Sequence, residues 1–264
     1  MTFQPVIPMG GAAGWAFLQR TQAAQQRAFD ASPVIERETA YFNDKIGEVK
    51  TSSDLIEDQT LLRVALGAFG LDDDINNTYF IKKVLDDGTL DTGDLANKLS
   101  DKRYLEFSKA FGFGDYGIPR TQVSDFGPEL ATAYRQKQFE IAVGRQDETM
   151  RLAMTVDNEL TNIVDSSGSA DTKWYKIMGN PPLRKVFETA FGLPSSFAAL
   201  DLDQQLATFR DKAERYLGAA EVDQFTEPGK RDELNRLFLV RSQIAAGAAA
   251  MSGGAIALTL LQNA

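Results

Sequence analysis

Residues Leu61–Leu71 read LLRVALGAFGL, and the same ending returns in RYLEFSKAFGF over Arg103–Phe113 and in LRKVFETAFGL over Leu183–Leu193. Each run places apolar residues at helical spacing and closes on Ala-Phe-Gly plus one more apolar residue. Ten residues before each Ala stands a side chain suited to capping a helix N-terminus: Asp58, Ser100 and Asn180. Gly70, Gly112 and Gly192 follow the phenylalanines, where a left-handed residue ends a helix. Phe69, Phe111 and Phe191 lie one turn from those ends, positions from which an aromatic ring packs into a core. Cap, length and stop agree at all three sites, which predicts a repeated helical module.

The surrounding chain reads as helix almost throughout. Ser32-Pro33 is a cap followed by proline at the first helical position, and Val34, Ile35, Tyr41, Phe42, Ile46 and Val49 form one apolar stripe. Phe80, Ile81, Val84 and Leu85 face inward from a helix near Asn76–Asp87, and a short helix over Thr92–Leu99 follows. Leu130, Tyr134, Ile141, Leu152, Val156, Leu160 and Ile163 predict two helices divided near Gly144. Beyond the third copy, Leu202, Leu206, Phe209, Tyr216 and Leu217 mark one helix, and Leu234, Leu237, Phe238 and Ile244 the last. No segment alternates with period two between turns, so the expected fold is an all-α multi-helix bundle. At an offset of 122, Leu55 and Ile56 map onto Ile177 and Met178, and Phe80 and Val84 onto Leu202 and Leu206. The second half therefore reads as a diverged copy, giving two similar lobes. The expected division is an uncharged flexible segment over 1–30, a helical lobe over 31–118 and a second lobe over 119–264, with the Gly- and Pro-rich stretch Gly112–Pro128 as the boundary.

Composition narrows the chemistry by what is missing. The 264 residues carry 37 acidic against 28 basic side chains, a formal charge of −9, and an acidic surface repels nucleic acid. There is no Cys and no His, which excludes disulfides, thiolate and zinc-finger sites, and Ser-His-Asp or Cys-His catalysis. The chain reads as a non-enzyme, with no catalytic, cofactor-binding or metal-ligating residue and no cofactor expected.

Three motifs test that reading. Gly112-Phe113-Gly114-Asp115-Tyr116-Gly117 satisfies G-x-G-x-x-G, but it follows a helix and runs into Ile118-Pro119, where a dinucleotide site needs a strand before and a helix after. Asp72-Asp73-Asp74-Ile75-Asn76-Asn77 resembles the start of a calcium loop, yet Asn77 and Lys83 stand where Gly and a bidentate Glu belong. Asp86-Asp87-Gly88 and Asp91-Thr92-Gly93-Asp94 read as helix-end turns, with no sign of the desolvation that acid–base work requires.

The two ends are uncharged, before Arg20 and after Arg241. Pro8, Gly10, Gly11 and Gly14 break the first apolar stretch, which argues against a signal peptide. The stretch Ile244–Leu261 is mostly Ala and Gly, too weakly hydrophobic to predict a membrane span. Gly10, Gly14, Gly247 and Gly254 instead suit close helix approach, within the chain or to a partner.

The run Tyr41–Phe113, with DQTLLRVALGAFGL, YFIKKVLDDG and ANKLSDKRYLEFSKAFGFG, resembles an all-helical family of unknown function, number 1217, of flagellated alpha-class proteobacteria. Asp58, Leu62, Ala68, Phe69, Gly70, Leu71, Phe80, Ile81, Lys83, Val84, Leu85, Ala96, Asn97, Leu99, Asp101, Tyr104, Ala110 and Phe111 carry it; Leu95 and Gly112 depart from the family pattern. The resemblance covers residues 31–118 most strongly. It implies a flagellar context through gene association and offers no reaction or catalytic residues. The expected function is a structural or accessory protein of the flagellar system acting through protein partners, with the chain ends and Gly112–Pro128 as contact surfaces. It would act in the cytoplasm or be exported to the flagellum without a cleaved signal. The alternative is a small-ligand module with a pocket between the halves built on Trp174, Tyr175, Arg184 and Lys185.

Overall fold

The structure, a computed structural model, describes residues 3–262, with side chains described as far as Gly247. Among the described residues the fold is all-α, and helices joined by short loops and 3-10 turns account for its regular structure. The chain forms two compact units. The first comprises residues up to Val6 together with Arg20–Gln146, and the second comprises Ile7–Gln19 and the chain from Asp147 onward.

The boundary falls at Gln146 and Asp147, where the sequence predicts it between 118 and 119. Helices α2 (Pro33–Lys45), α4 (Gln59–Ala68) and α8 (Phe126–Gly144) explain the difference. Helix α8 packs along α4 and α2, so the apolar face after Pro128 completes the first unit rather than opening the second. Tyr134 lies against α4 at Gly67, where a Cβ would stand 2.7 Å from its ring carbons. Helix α3 (Ser52–Glu57) packs on α4 and on α5 (Thr78–Asp87), and α6 (Leu95–Lys98) and α7 (Arg103–Phe111) complete this unit.

The second unit contains α9 (Glu148–Asp165), α10 (Ala170–Met178), α11 (Pro181–Phe191), α12 (Leu202–Leu217) and α13 (Pro228–Gln262). Here α11 packs on α9 and α13, α9 packs on α13, and α10 packs on α11 and α12. An aromatic cluster fills the core: the Trp174 ring stacks on Phe209 at 5.8 Å, Phe187 meets its edge at 5.6 Å, and Phe225 meets Phe187 at 5.6 Å. Each such pair adds about 0.5–1.5 kcal/mol beyond the burial of its rings.

The N-terminal segment is ordered, against the expectation of a flexible 1–30. Helix α1 spans Gly11–Asp30, and Trp15, Leu18, Gln25 and Phe29 are buried along it at helical spacing. Gly14 lies beside the Met150 side chain, and a Cβ at Gly11 would overlap Gln243. Phe3–Val6 are tied down as well: Phe3 N–H donates to Ser32 Oγ, and Gln25 exchanges hydrogen bonds with Val6. Burial of apolar residues and pairing of backbone groups are what order a terminus. At the other end, Ile244 is 66% exposed where the periodicity predicts it buried, and Leu234, Asn235, Phe238 and Leu239 form the buried face. The periodicity carries on past the point where the unit has neighbours for it. Gly247 has open space around it, and Gly254 lies outside the described side chains.

The three Ala-Phe-Gly helices share their ends more closely than their starts. Gly70, Gly112 and Gly192 have φ of 67°, 68° and 66°, in the left-handed region that glycine enters without a Cβ penalty. Asp58 accepts from the N–H groups of Thr60 and Leu61, and Asn180 from that of Leu183, so α4 and α11 are capped as the sequence predicts. Ser100 caps nothing. Helix α7 begins at Arg103, because the Asp101 carboxylate takes the Arg103 N–H and also grips its guanidinium, shortening the helix. That guanidinium also donates to the Gly70 carbonyl, linking the end of one module helix to the start of the next. Phe111 and Phe191 are buried, whereas Phe69 is half-exposed and rests edge-on against Phe107 at 5.4 Å. Val34 and Tyr41 fall outside the buried face of α2, which Thr39 joins instead.

These caps make an asymmetric prediction. Asp58→Ala and Asn180→Ala each cost about 1 kcal/mol of stability in urea unfolding, while Ser100→Ala stays within about 0.5 kcal/mol.

Asp72 offers a second test. Burial raises its carboxyl above the ordinary range, the hydrogen bond from Gln138 at 2.6 Å offsets this only in part, and Asp72 Oδ2 is buried without a partner. A carboxyl whose folded pKa exceeds its unfolded one binds its proton more tightly when folded, so its ionisation lowers stability as pH rises through that window. Asp72→Asn removes this loss. Unfolding midpoints measured from about pH 4 to pH 7 shift in favour of the variant as pH rises.

Candidate functional site

The residues proposed for a ligand pocket do not converge. Trp174 is fully buried in the aromatic cluster, with Nε1–H donating to the Ala220 carbonyl at 3.0 Å. The Arg184 guanidinium is spent on Glu188 and Gln205, both at 2.7 Å. Tyr175 is half-buried with its hydroxyl 3.5 Å from Asp203, and Lys185 is exposed. A tryptophan with a satisfied N–H in a stacked core has no face left for a ligand.

The acidic runs are also accounted for. The Asp74 carboxylate accepts from the Tyr104 hydroxyl and from Asn77 Nδ2, and Asp72 accepts from Gln138. Among the described residues no group of three Asp or Glu side chains is placed to hold a metal ion. Burial pushes the Asp86 carboxyl up, but hydrogen bonds from Lys82 and Ser52 outweigh it and hold the group below its ordinary value. The Asp91-Thr92-Gly93-Asp94 stretch is a turn in which Asp91 accepts the Gly93 N–H and Asp94 the Asp91 N–H.

A different feature emerges at the loops of the first unit. Residues 88–94 join α5 to α6, and residues 112–125 join α7 to α8. The two loops are stitched together: the Asp115 carboxylate accepts from the Thr89 N–H at 2.6 Å and from its hydroxyl at 2.8 Å. Their backbones touch, since a Cβ on Gly114 would stand 2.4 Å from the Gly88 nitrogen. Asn97 Nδ2 donates to the carbonyls of Thr89 and Asp91. The buried Thr121 hydroxyl donates to the Val49 carbonyl at 2.6 Å, fixing the far end. Gly112-Phe113-Gly114 therefore serves as helix stop and loop–loop contact, not as a phosphate cradle.

On this pinned backbone stand large apolar side chains that face water. Leu90 is 71% exposed, Ile118 73%, Tyr116 52% and Val123 50%. Scattered single exposures are ordinary, whereas these four stand on two loops that the Asp115–Thr89 bonds join. Because the loops are already ordered, a partner would lose little entropy in docking there. Tyr116, Ile118 and Val123 lie inside the Gly112–Pro128 stretch that the sequence proposes as a surface. Leu90 was not legible as part of it, because only the Asp115–Thr89 stitch brings its loop alongside.

The chain belongs to the family described as protein of unknown function, DUF1217, which matches residues 68–230 and so includes the second and third Ala-Phe-Gly runs. The structure is similar to the X-ray crystal structure of a protein from Agrobacterium tumefaciens, with a TM-score of 0.74 and 24% identity over 92% of this chain and 99% of that one. At that identity the likeness shows the fold alone. No curated protein matches the chain. Among the described residues no helix is long and apolar enough to cross a membrane.

The stitch is testable on its own. Asp115→Ala accelerates hydrogen exchange of the Thr89 amide by about tenfold or more, while exchange in the α4 and α8 core is unchanged.

Proposed function

We propose that this protein is a non-enzymatic accessory or structural component of the bacterial flagellar system that works by holding a protein partner. The observation that carries the reading is the pinned apolar surface of Leu90, Tyr116, Ile118 and Val123. Contact surfaces bind by burying such side chains from a preorganised backbone. The lack of His and Cys supports a role without acid–base or thiol chemistry. The resemblance of the Tyr41–Phe113 run supports the flagellar context. The neighbour relations of α2–α5 with α8 recur in α9–α13, which supports descent from a duplicated unit, with the loop surface as an addition of the first half. Whether the protein acts in the cytoplasm or travels to the filament follows from where the partner resides.

The test is affinity capture of tagged chain in a flagellated alpha-class proteobacterium, with mass spectrometry of cytoplasmic and sheared-filament fractions. A flagellar component is recovered with the native chain and lost by at least tenfold with Ile118→Asp, a substitution at an exposed site that leaves the fold intact. Recovery of no flagellar component in either fraction, or equal recovery by both chains, overturns the reading.

A further inference from the structure

In the second unit, the third Ala-Phe-Gly helix ends beside a group of cations that no carboxylate neutralises. Phe191 is buried at the end of α11, and the Tyr216 ring of α12 stacks on it at 6.0 Å with 23° between the planes. Two guanidinium groups lie against the Tyr216 ring: Arg241 of α13 at 5.2 Å from its centroid, and Arg215 of α12 at 5.8 Å. A Cβ at Gly192 would overlap the Arg241 guanidinium, so the glycine that ends α11 also admits this side chain. Lys212 stands one turn before Tyr216 on α12.

Comparable side chains elsewhere are paired. At the end of the first module helix, Arg103 is neutralised by Asp101 at 2.7 Å. Arg151, Arg184, Arg210 and Arg231 of the second unit each meet an Asp or Glu carboxylate. Among the described residues, the ion pairs of this unit leave out Arg215, Arg241 and Lys212. The excess acts on Tyr216. Arg241 is the largest influence on its phenol, and the charges of Arg215 and Lys212 add to it, holding the group below its ordinary range although desolvation pushes the other way. The C-terminal ends of α11 and α12 favour cations, but each carries only about half an elementary charge. Three cationic side chains exceed what two helix ends offset by about two charges.

We propose that Arg215, Tyr216 and Arg241 form a binding site for a phosphate group. Each guanidinium offers parallel N–H donors in a fixed fork, and a tetrahedral phosphate has oxygens for two such forks where a planar carboxylate fills one. A phosphate dianion also matches the charge left uncompensated. The Tyr216 ring, seated on Phe191, holds both guanidinium groups against it, which lowers the cost of ordering them around a ligand. The chain as a whole carries a formal charge of −9 and repels anions, so a local excess of cations is what admits one. Free phosphate and a phosphate ester share this chemistry.

The experiment is calorimetric titration of the full chain at low salt with phosphate, glycerol 3-phosphate and acetate. Alongside it, the Tyr216 phenol is titrated by ultraviolet absorbance, its signal assigned by its loss in Tyr216→Phe. Phosphate binds about tenfold or more tighter than acetate, and it moves the Tyr216 titration to higher pH because the dianion offsets the positive field. Arg215→Gln and Arg241→Gln each weaken phosphate by about tenfold. Arg215 is exposed, and far-UV circular dichroism confirms that both variants are folded. Tighter binding of glycerol 3-phosphate than of phosphate assigns the site to an ester, and the reverse order assigns it to the free ion. Acetate binding as tight as phosphate, a Tyr216 titration that phosphate leaves in place, or unchanged phosphate binding by Arg215→Gln each overturns the proposal.

Discussion

The first unit depends on the contact between Tyr134 and Gly67. Only a residue without a Cβ lets the ring of α8 settle against α4, and that approach sets the spacing from which the rest follows. It brings the Tyr134 hydroxyl to Glu38, aligns Gln138 with Asp72, and leaves the seam of α2 and α8 open along its outer edge. The same packing draws everything up to Gln146 into one unit. In the second unit the Trp174–Phe209 stack plays the corresponding part, holding α10 and α12 together around Phe187 of α11.

Polar groups in this fold are mostly spent on the fold itself. Asp58, Asn180 and Asp147 cap helices, Asp101 and Asp74 hold Arg103 and Tyr104, and Asp115 joins two loops. These carboxylates hold helix starts, side chains and loops in place, and among the described residues no group of three Asp or Glu side chains is placed to hold a metal ion. Outside this bonding stand the exposed apolar side chains on the loops of the first unit.

Much of the architecture was legible in the chain because helix signals are local. A cap, a 3.6-residue period and a terminal glycine act within a dozen residues, so the all-α class, the division near Gly144 and the three left-handed glycines could be read directly. The failures are informative. Ser100 looked like Asp58 and Asn180, but Asp101 beside it competes for the same N–H groups and starts the helix later. Val34, Tyr41 and Ile244 lie in phase with buried neighbours yet face water, since periodicity marks a face without saying how far a partner covers it. Gly112–Pro128 reads as a domain boundary because Gly and Pro interrupt helices; it is a loop within one unit because α8 returns to α4.

The sequence by itself therefore determined the helices, their stops, the family and the absence of His and Cys chemistry, all properties of short segments or of composition. Tertiary structure decided which helices form a unit, that Trp174 is core rather than pocket, and that the loop carrying Leu90 is bonded to the loop carrying Tyr116 and Ile118. It alone brings the Tyr134 hydroxyl to Glu38 from 96 positions away in the chain. Those outcomes rest on contacts between distant residues, whose closeness no local propensity encodes.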